Sequence, residues 1–133
     1  MNFASETHVD RSIADPHSFV MNNVWSAFNL LESLRKDNTG VRVVHVSTDE
    51  IYGEAVQGSF SELSTYRPSN PYSATKVAQE ALFISYIRTY GINASIVRPS
   101  NNFGPYQFPE KLIPKIIIRA LKGLKVPIYG SGK

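Results

Sequence analysis

Tyr72-Ser73-Ala74-Thr75-Lys76 places a phenol and an ammonium four residues apart, a spacing that brings both to one face of an α-helix. A positive charge beside a phenol favours the phenolate, so the pair suits a general base that takes a proton from a hydroxyl. Alone the spacing is a weak signal, because a half-buried aromatic beside a solvated lysine is common on ordinary helices. It gains weight from its neighbours. Ser47-Thr48-Asp49-Glu50 precedes it and Arg98-Pro99-Ser100-Asn101-Asn102 follows it, each closing an apolar run. The carboxyls of Asp49 and Glu50 can serve one substrate only if the backbone turns there, since successive residues of a strand face opposite ways. Without that turn they are charged residues of a loop. Thr48 has an equally plain alternative as a strand-end threonine satisfying a backbone group.

The apolar spacing supplies the elements that hold these residues. Val20, Val24, Ala27, Leu31 and Leu34 recur at helical spacing between Asp15-Pro16 and Asn38, with Pro16 suited to a first turn and Asn38-Thr39-Gly40 marking the end. Val41 to Ser47 is a β-branched run of the kind buried in a parallel sheet, and Thr48 to Gly53 would sit at its carboxyl end. Residues 54–70 show no period and read as a long loop. A second helix is predicted from Asn70-Pro71 to Tyr90, ended by Gly91, with Ala74, Val77, Ala78, Ala81 and Leu82 as its buried face. Ile92 to Val97 reads as a strand and residues 98–110 as an irregular loop. Residues 112–122 read as a helix that tolerates Pro114 only in its first turn, and Val126 to Tyr129 as the start of another strand. Trp25, Phe28, Phe83 and Tyr86 lie in helical patterns and are assigned to packing. Strands alternating with helices indicate an α/β fold, a doubly wound parallel sheet flanked by helices, whose ligands bind beyond the carboxyl ends of the strands. Both polar stretches fall on that edge.

Composition narrows the classes. The 133 residues include 14 basic and 11 acidic ones without dense basic blocks, so neither nucleic acid nor a membrane surface is an expected partner. With no cysteine there is no thiol nucleophile or disulfide framework, and a cytoplasmic setting is the expectation. No apolar run approaches the roughly 18 residues needed to span a bilayer. His8, His17 and His45 lack metal-ligand spacing, no metal is expected, and His45 in its apolar strand reads as a satisfied core histidine.

Four blocks in order carry a family resemblance. Ala4-Ser5-Glu6-Thr7-His8-Val9-Asp10-Arg11-Ser12, Ser47-Thr48-Asp49-Glu50-Ile51-Tyr52-Gly53, Asn70-Pro71-Tyr72-Ser73-Ala74-Thr75-Lys76 and Asn101-Asn102-Phe103-Gly104-Pro105-Tyr106 with its continuation to Leu112 are similar to signature segments of the dTDP-glucose 4,6-dehydratases. These belong to the extended short-chain dehydrogenase/reductases, and the resemblance covers essentially the whole chain. It implies that residues 1–133 are the central part of one NAD-binding Rossmann-like domain, with a substrate-binding region starting from about residue 100. It also implies NAD as cofactor, a nucleotide-sugar substrate and a homodimer formed through the helices near residues 16–38 and 70–90.

The same resemblance assigns roles. Tyr72 is the base for the sugar C4 hydroxyl, Lys76 holds the nicotinamide ribose and Thr48 donates a hydroxyl to the C4 oxygen. Once C4 is a ketone the C5 hydrogen is acidic, and Glu50 removes it while Asp49 protonates the departing C6 hydroxyl. Hydride return to C6 makes the net reaction a loss of water. Cofactor contacts are implied at Phe3, Ala4, Ser5, Glu6, Thr7, Asn22 and Asn102 as well as at Tyr72 and Lys76. Substrate contacts are implied at Thr7, Thr48, Asn101, Lys111, Leu112, Pro127, Ile128 and Tyr129.

The departure that matters is a glycine-rich turn, G-x-x-G-x-x-G or G-x-G-x-x-G, which occurs nowhere in the chain although it anchors a dinucleotide pyrophosphate. Thr7 and Asn22, where relatives often carry serine and threonine, keep their hydrogen-bonding ability. The polar stretch Asn2 to Thr7 stands where a complete domain would have earlier strands, so the chain is expected to be truncated at both ends. Two rival readings remain open: a nucleotide-sugar 4-epimerase or another sugar dehydratase, which would share the Tyr-Lys pair, and a catalytically inactive fragment or binding module. The adjacent Asp49 and Glu50 argue for dehydration, because epimerisation needs no acid to expel a C6 hydroxyl.

Overall fold

A computed structural model describes residues 1–37, 40–55 and 58–128. The first helical stretch opens with α1 (Val9–Ala14), which the sequence reading had not separated from the polar N-terminal segment. The helix expected from Asp15-Pro16 is present as α2 (Pro16–Phe19), a π-helical segment over Val20–Trp25 and α3 (Ser26–Asp37). Asp15 caps it by accepting from the Ser18 amide and hydroxyl, and Pro16 occupies the first turn, where its missing N–H leaves no hydrogen bond unmade. Asn38 and Thr39, part of the expected terminus, lie outside the described residues.

β1 (Val43–Val46) and β2 (Ala94–Val97) pair in parallel, Val43 opposite Ala94 and Val46 opposite Val97, and α4 (Pro71–Tyr90) makes the crossover between them. Asn2 adds an isolated parallel bridge to His45. This is a Rossmann-like α/β arrangement, as expected. Ala27 and Leu31 from α3, Val43 from β1, and Phe83 and Tyr86 from α4 form the buried core, so α3 and α4 cover the same side of the strands. Trp25 departs from its packing assignment: it is 54% exposed and leans on Phe28 with ring centroids 5.2 Å apart.

The expected buried face of α4 is corrected. Ala74 and Ala81 are exposed and Val77, Ala78 and Leu82 only half-buried, whereas Tyr72, Ser73, Thr75, Lys76, Gln79, Glu80, Phe83 and Tyr86 are buried. The helix carries apolar groups on both sides, so period alone does not say which side turns inward. The inward side is the one whose polar groups find fixed partners, described below. Asn70 forms a reciprocal capping box with Ser73, Pro71 opens the helix and Gly91 closes it at φ 68°, a left-handed conformation that glycine adopts without strain.

The chain divides into two compact units, Met1–Ser100 and Asn101–Lys133. The second contains α5 (Leu112–Leu121), with Pro114 in its first turn as required. Residues 124–128 form no strand, against expectation, and Pro127 has no N–H to offer a ladder there. No helix among the described residues is long and apolar enough to cross a membrane.

His45 is 1% exposed and stacks on Phe83 at 4.2 Å. Its Nδ1 lies 3.2 Å from the Asn2 amide nitrogen, which fixes Nδ1 as acceptor and puts the proton on Nε2, and Nε2 has no partner among the described residues. The expectation of a satisfied histidine is therefore half met. Burial first, then the charge of Lys76, lowers its pKa from 6.5 to about 4, against an opposing pull from Glu80. A proton binds the unfolded chain more readily between those values, so stability is complete above pH 6.5 and is lost as pH falls toward about 4. The loss should amount to roughly 3 kcal/mol. Urea titrations at pH 7 and pH 4.5 should show this difference for the native chain and little of it for His45→Gln; an equal loss in both would assign the acid sensitivity elsewhere.

Candidate active site

The turn that the two carboxyls require is present. Thr48 is extended at φ −157° and ψ 155°, and the chain then curls into a 3-10 turn over Asp49–Tyr52. Thr48 Oγ1 caps it, accepting from the Glu50 amide at 3.3 Å, so the threonine does satisfy a backbone group. The strand ends stay tied beyond the regular ladder: the Ser47 amide donates to the Val97 carbonyl at 2.8 Å and the Asp49 amide to the Pro99 carbonyl at 3.2 Å. Gly53 closes the turn at φ 80°, and a Cβ there would lie 2.4 Å from the Arg67 carbonyl oxygen, so only glycine fits.

Tyr72 and Lys76 reach this turn from α4. Lys76 is 3% exposed and its Nζ donates to the Val46 carbonyl at 2.9 Å. Burial lowers its pKa from 10.5 to about 8, with Glu80 acting in the opposite direction. Tyr72 is 7% exposed, and its pKa is raised, by burial first and then by Glu50, while a hydrogen bond with Thr48 pulls it down. This corrects the expectation that Lys76 would lower it: the ammonium bonds to a strand carbonyl, and the charges that act on the phenol are the Glu50 and Asp49 carboxylates. Thr48, Asp49, Glu50 and Tyr72 thus form one electrostatic group at the carboxyl end of β1, with Lys76 one turn along α4 tied to the Val46 carbonyl.

A buried asparagine brings the N-terminal segment to the same place. Asn23 is 0% exposed; its Oδ1 accepts from the Glu6 amide at 2.7 Å and its Nδ2 donates to the Glu6 carbonyl at 3.1 Å and to Thr75 Oγ1 at 2.9 Å. The Thr75 hydroxyl donates in turn to the Tyr72 carbonyl at 2.7 Å. One side chain therefore pins Glu6, and with it the segment Phe3 to Thr7, beside the first turns of α4. Gln79 Nε2 donates to the Asn23 carbonyl at 2.8 Å, an insertion that fits the widened π-helical segment. Sequence reasoning named Asn22, which is exposed, and passed over Asn23. The signal was available, since Asn23 shares the stripe Phe19, Asn23, Ala27, Leu31 and is the polar member of an otherwise apolar set.

Asn101, Asn102, Lys111, Leu112, Pro127 and Ile128 belong to the second unit, and Tyr129 lies outside the described residues. Within that unit Lys111 stands at the N-cap of α5, 3.9 Å from the Glu110 carboxylate. An open depression of about 790 Å³ in the first unit touches Asp49 together with Tyr52, Phe60 and Arg98. Among the described residues no cluster of three or more metal-ligating side chains occurs.

Known proteins share this arrangement. The family described as GDP-mannose 4,6 dehydratase matches residues 1–133. A dTDP-glucose 4,6-dehydratase of Streptomyces antibioticus is 47% identical over 132 residues, covering 99% of this chain and 39% of that protein. The structure of DesIV, a dTDP-glucose 4,6-dehydratase from Streptomyces venezuelae with NAD and TYD bound, matches with a TM-score of 0.93 and 47% identity over 98% of this chain and 40% of that one. A UDP-glucuronic acid 4-epimerase from Bacillus cereus, in complex with UDP-glucuronic acid and NAD, matches with a TM-score of 0.90 and 29% identity over 99% of this chain and 42% of that one. The chain spans about two fifths of the length of these relatives.

Replacing Asn23 by alanine removes the acceptor of the half-buried Glu6 amide, while the Glu6 carbonyl keeps the Ser5 hydroxyl, and a buried polar group left unpaired costs up to about 1–3 kcal/mol. Hydrogen exchange should show protection lost at the Glu6 amide in Asn23→Ala and retained in Asn22→Ala. Equal protection in both variants would remove the pinning role.

Proposed function

Because the chain belongs to the GDP-mannose 4,6 dehydratase family, we propose that its residues perform the NAD-dependent dehydration of a nucleotide sugar, dTDP-glucose to the 4-keto-6-deoxy sugar. The observation that carries the reading is the 3-10 turn that sets Asp49 and Glu50, two adjacent carboxyls, next to the buried Tyr72 phenol. An epimerase has no use for the second carboxyl. The relatives whose structures hold NAD, one with TYD, support the cofactor and the nucleotide class.

The donor chemistry fits the nicotinamide end of NAD. Lys76 is an almost fully buried ammonium whose one acceptor among the described residues is the Val46 carbonyl, which leaves donors for ribose hydroxyls. Phe3 to Thr7, Asn22 and Asn102 are the further cofactor contacts of the proposal. The chemistry that bound NAD supplies is hydride acceptance from C4 and its return to C6. The chain's own part is proton handling. Tyr72 takes the C4 hydroxyl proton, and the Thr48 hydroxyl, which bonds to the phenol in the free chain, turns its one proton to the C4 oxygen when the sugar is bound. Glu50 then removes the C5 proton and Asp49 delivers one to the C6 hydroxyl, which leaves as water; when hydride returns to C6, Glu50 gives its proton back to C5. Thr7, Asn101, Lys111, Leu112 and Pro127 to Tyr129 contact the nucleotide sugar in this scheme, and the second unit begins the substrate-binding region. A cytoplasmic setting and a homodimer belong to the same proposal, the dimer supported by the exposed Val20, Met21 and Trp25 and the exposed Ala74 and Ala81 of α4.

With dTDP-glucose and NAD supplied, Glu50→Gln should slow formation of the 4-keto-6-deoxy product by about 100-fold or more, the usual scale for a lost general base. Oxidation at C4 should persist, seen as reduced nicotinamide accumulating by absorbance. Product at the parental rate would overturn the role of Glu50. Trp25→Glu should convert a dimer to a monomer in sedimentation; an unchanged mass would remove that face from the interface.

A further inference from the structure

α4 carries a carboxylate that the proposed chemistry does not use. Glu80 is 0% exposed, two turns beyond Tyr72 and one beyond Lys76 on the same buried stripe. It is paired with Arg98, the residue that follows β2: the guanidinium Nε lies 3.0 Å from both carboxylate oxygens and one terminal nitrogen 2.7 Å from Oε2. The rest of the guanidinium is equally committed. It donates to the Tyr52 hydroxyl at 2.7 Å, to the Glu62 carbonyl at 3.0 Å and to the Tyr66 hydroxyl at 2.6 Å. The Tyr66 hydroxyl itself donates to Glu80 at 2.9 Å.

One planar group therefore reaches four segments: the end of β2, the 3-10 turn that carries Asp49 and Glu50, the long loop through Glu62 and Tyr66, and the catalytic face of α4. Five fixed donors on a guanidinium make this geometry possible, and no lysine could reproduce it. Burial would push the Glu80 carboxyl up, but the bonds from Arg98 and Tyr66 hold it below its ordinary value, so it is an anion facing the Lys76 end of the helix.

We propose that Arg98 and Glu80 are positioning residues of the site, Arg98 locking the Asp49–Tyr52 turn onto α4 and Glu80 balancing the buried charge of Lys76. The geometry stands by itself, and its link to catalysis rests on the dehydratase reading. The network joins the turn that carries Asp49 and Glu50 to the helix that carries Tyr72 and Lys76.

The charged and titratable groups around Lys76 are Glu80 and Tyr72 on its own helix and His45 on β1, while Asp49 and Glu50 of the turn bear on Tyr72. In Glu80→Gln, which keeps the shape and removes the charge, the Lys76 side chain should titrate about one pH unit or more below its native value, read by NMR of labelled lysine. An unmoved titration would overturn the charge-balancing role. Tyr52→Phe cuts the tie between Arg98 and the turn without exposing a charge, and keeps the chain folded if Glu80→Gln does not. It should lower hydrogen-exchange protection of the Gly53 amide about ten-fold while the Phe83 amide is unchanged; equal protection would overturn the lock. In Glu80→Gln the pH profile of C4 oxidation should move with Lys76. A Lys76 shift with an unmoved profile would uphold the positioning and count against the dehydratase role of Lys76, so the two failures are distinguishable.

Discussion

Two ionisable groups one turn apart on α4, Lys76 and Glu80, are taken almost wholly out of water, and everything around them follows from the need to match each one. An unpaired buried charge costs several kcal/mol, so this stripe can face inward only because each charge meets a fixed partner. The polar stripe of the helix faces inward, where Val46, Arg98, Asn23 and Tyr66 supply fixed partners. Ala74 and Ala81 are left at the surface as a consequence. The π-helical segment belongs to the same logic, since Gln79 on the inward stripe needs the Asn23 carbonyl that the widened turn presents.

The matching also gathers the chemistry. Lys76 bonded to Val46 fixes α4 against the end of β1, and the backbone leaving that strand is obliged by the Thr48 cap and by Gly53 to curl at once. Asp49 and Glu50 then share one side of the helix end rather than alternating across a strand. Low solvent access raises the Tyr72 pKa and brings the Lys76 value down to about 8, so both protonation equilibria lie nearer to neutrality for the amine and further from it for the phenol. Hydrogen bonding by Thr48 opposes that rise without reversing it.

What the sequence disclosed was mostly what local rules govern. Asp15-Pro16, the Asn70, Pro71 and Ser73 capping set and Gly91 act through their immediate neighbours, and each marks a helix end where it was expected. The Tyr72 to Lys76 spacing was legible for the same reason, whereas the turn after Thr48 stood only as a condition that Asp49 and Glu50 would need. The inward face of α4 was not, because it is decided by partners some thirty and more residues away, as with Lys76 and Val46, and no periodicity contains them. Asn23 escaped notice beside the more conspicuous Asn22, and Arg98 read as the first residue of a loop although its guanidinium joins four segments. The expected strand at Val126 failed on a local signal that was present and underweighted, Pro127.

The central claim is that these residues move a hydrogen within one sugar and expel water, instead of inverting a carbinol. Incubation with NAD and dTDP-glucose deuterated at C4 tests it most directly, by locating the label in the product. The account predicts a 4-keto-6-deoxy sugar with the deuterium at C6. Deuterium retained at C4 in an inverted, unoxidised sugar would contradict it.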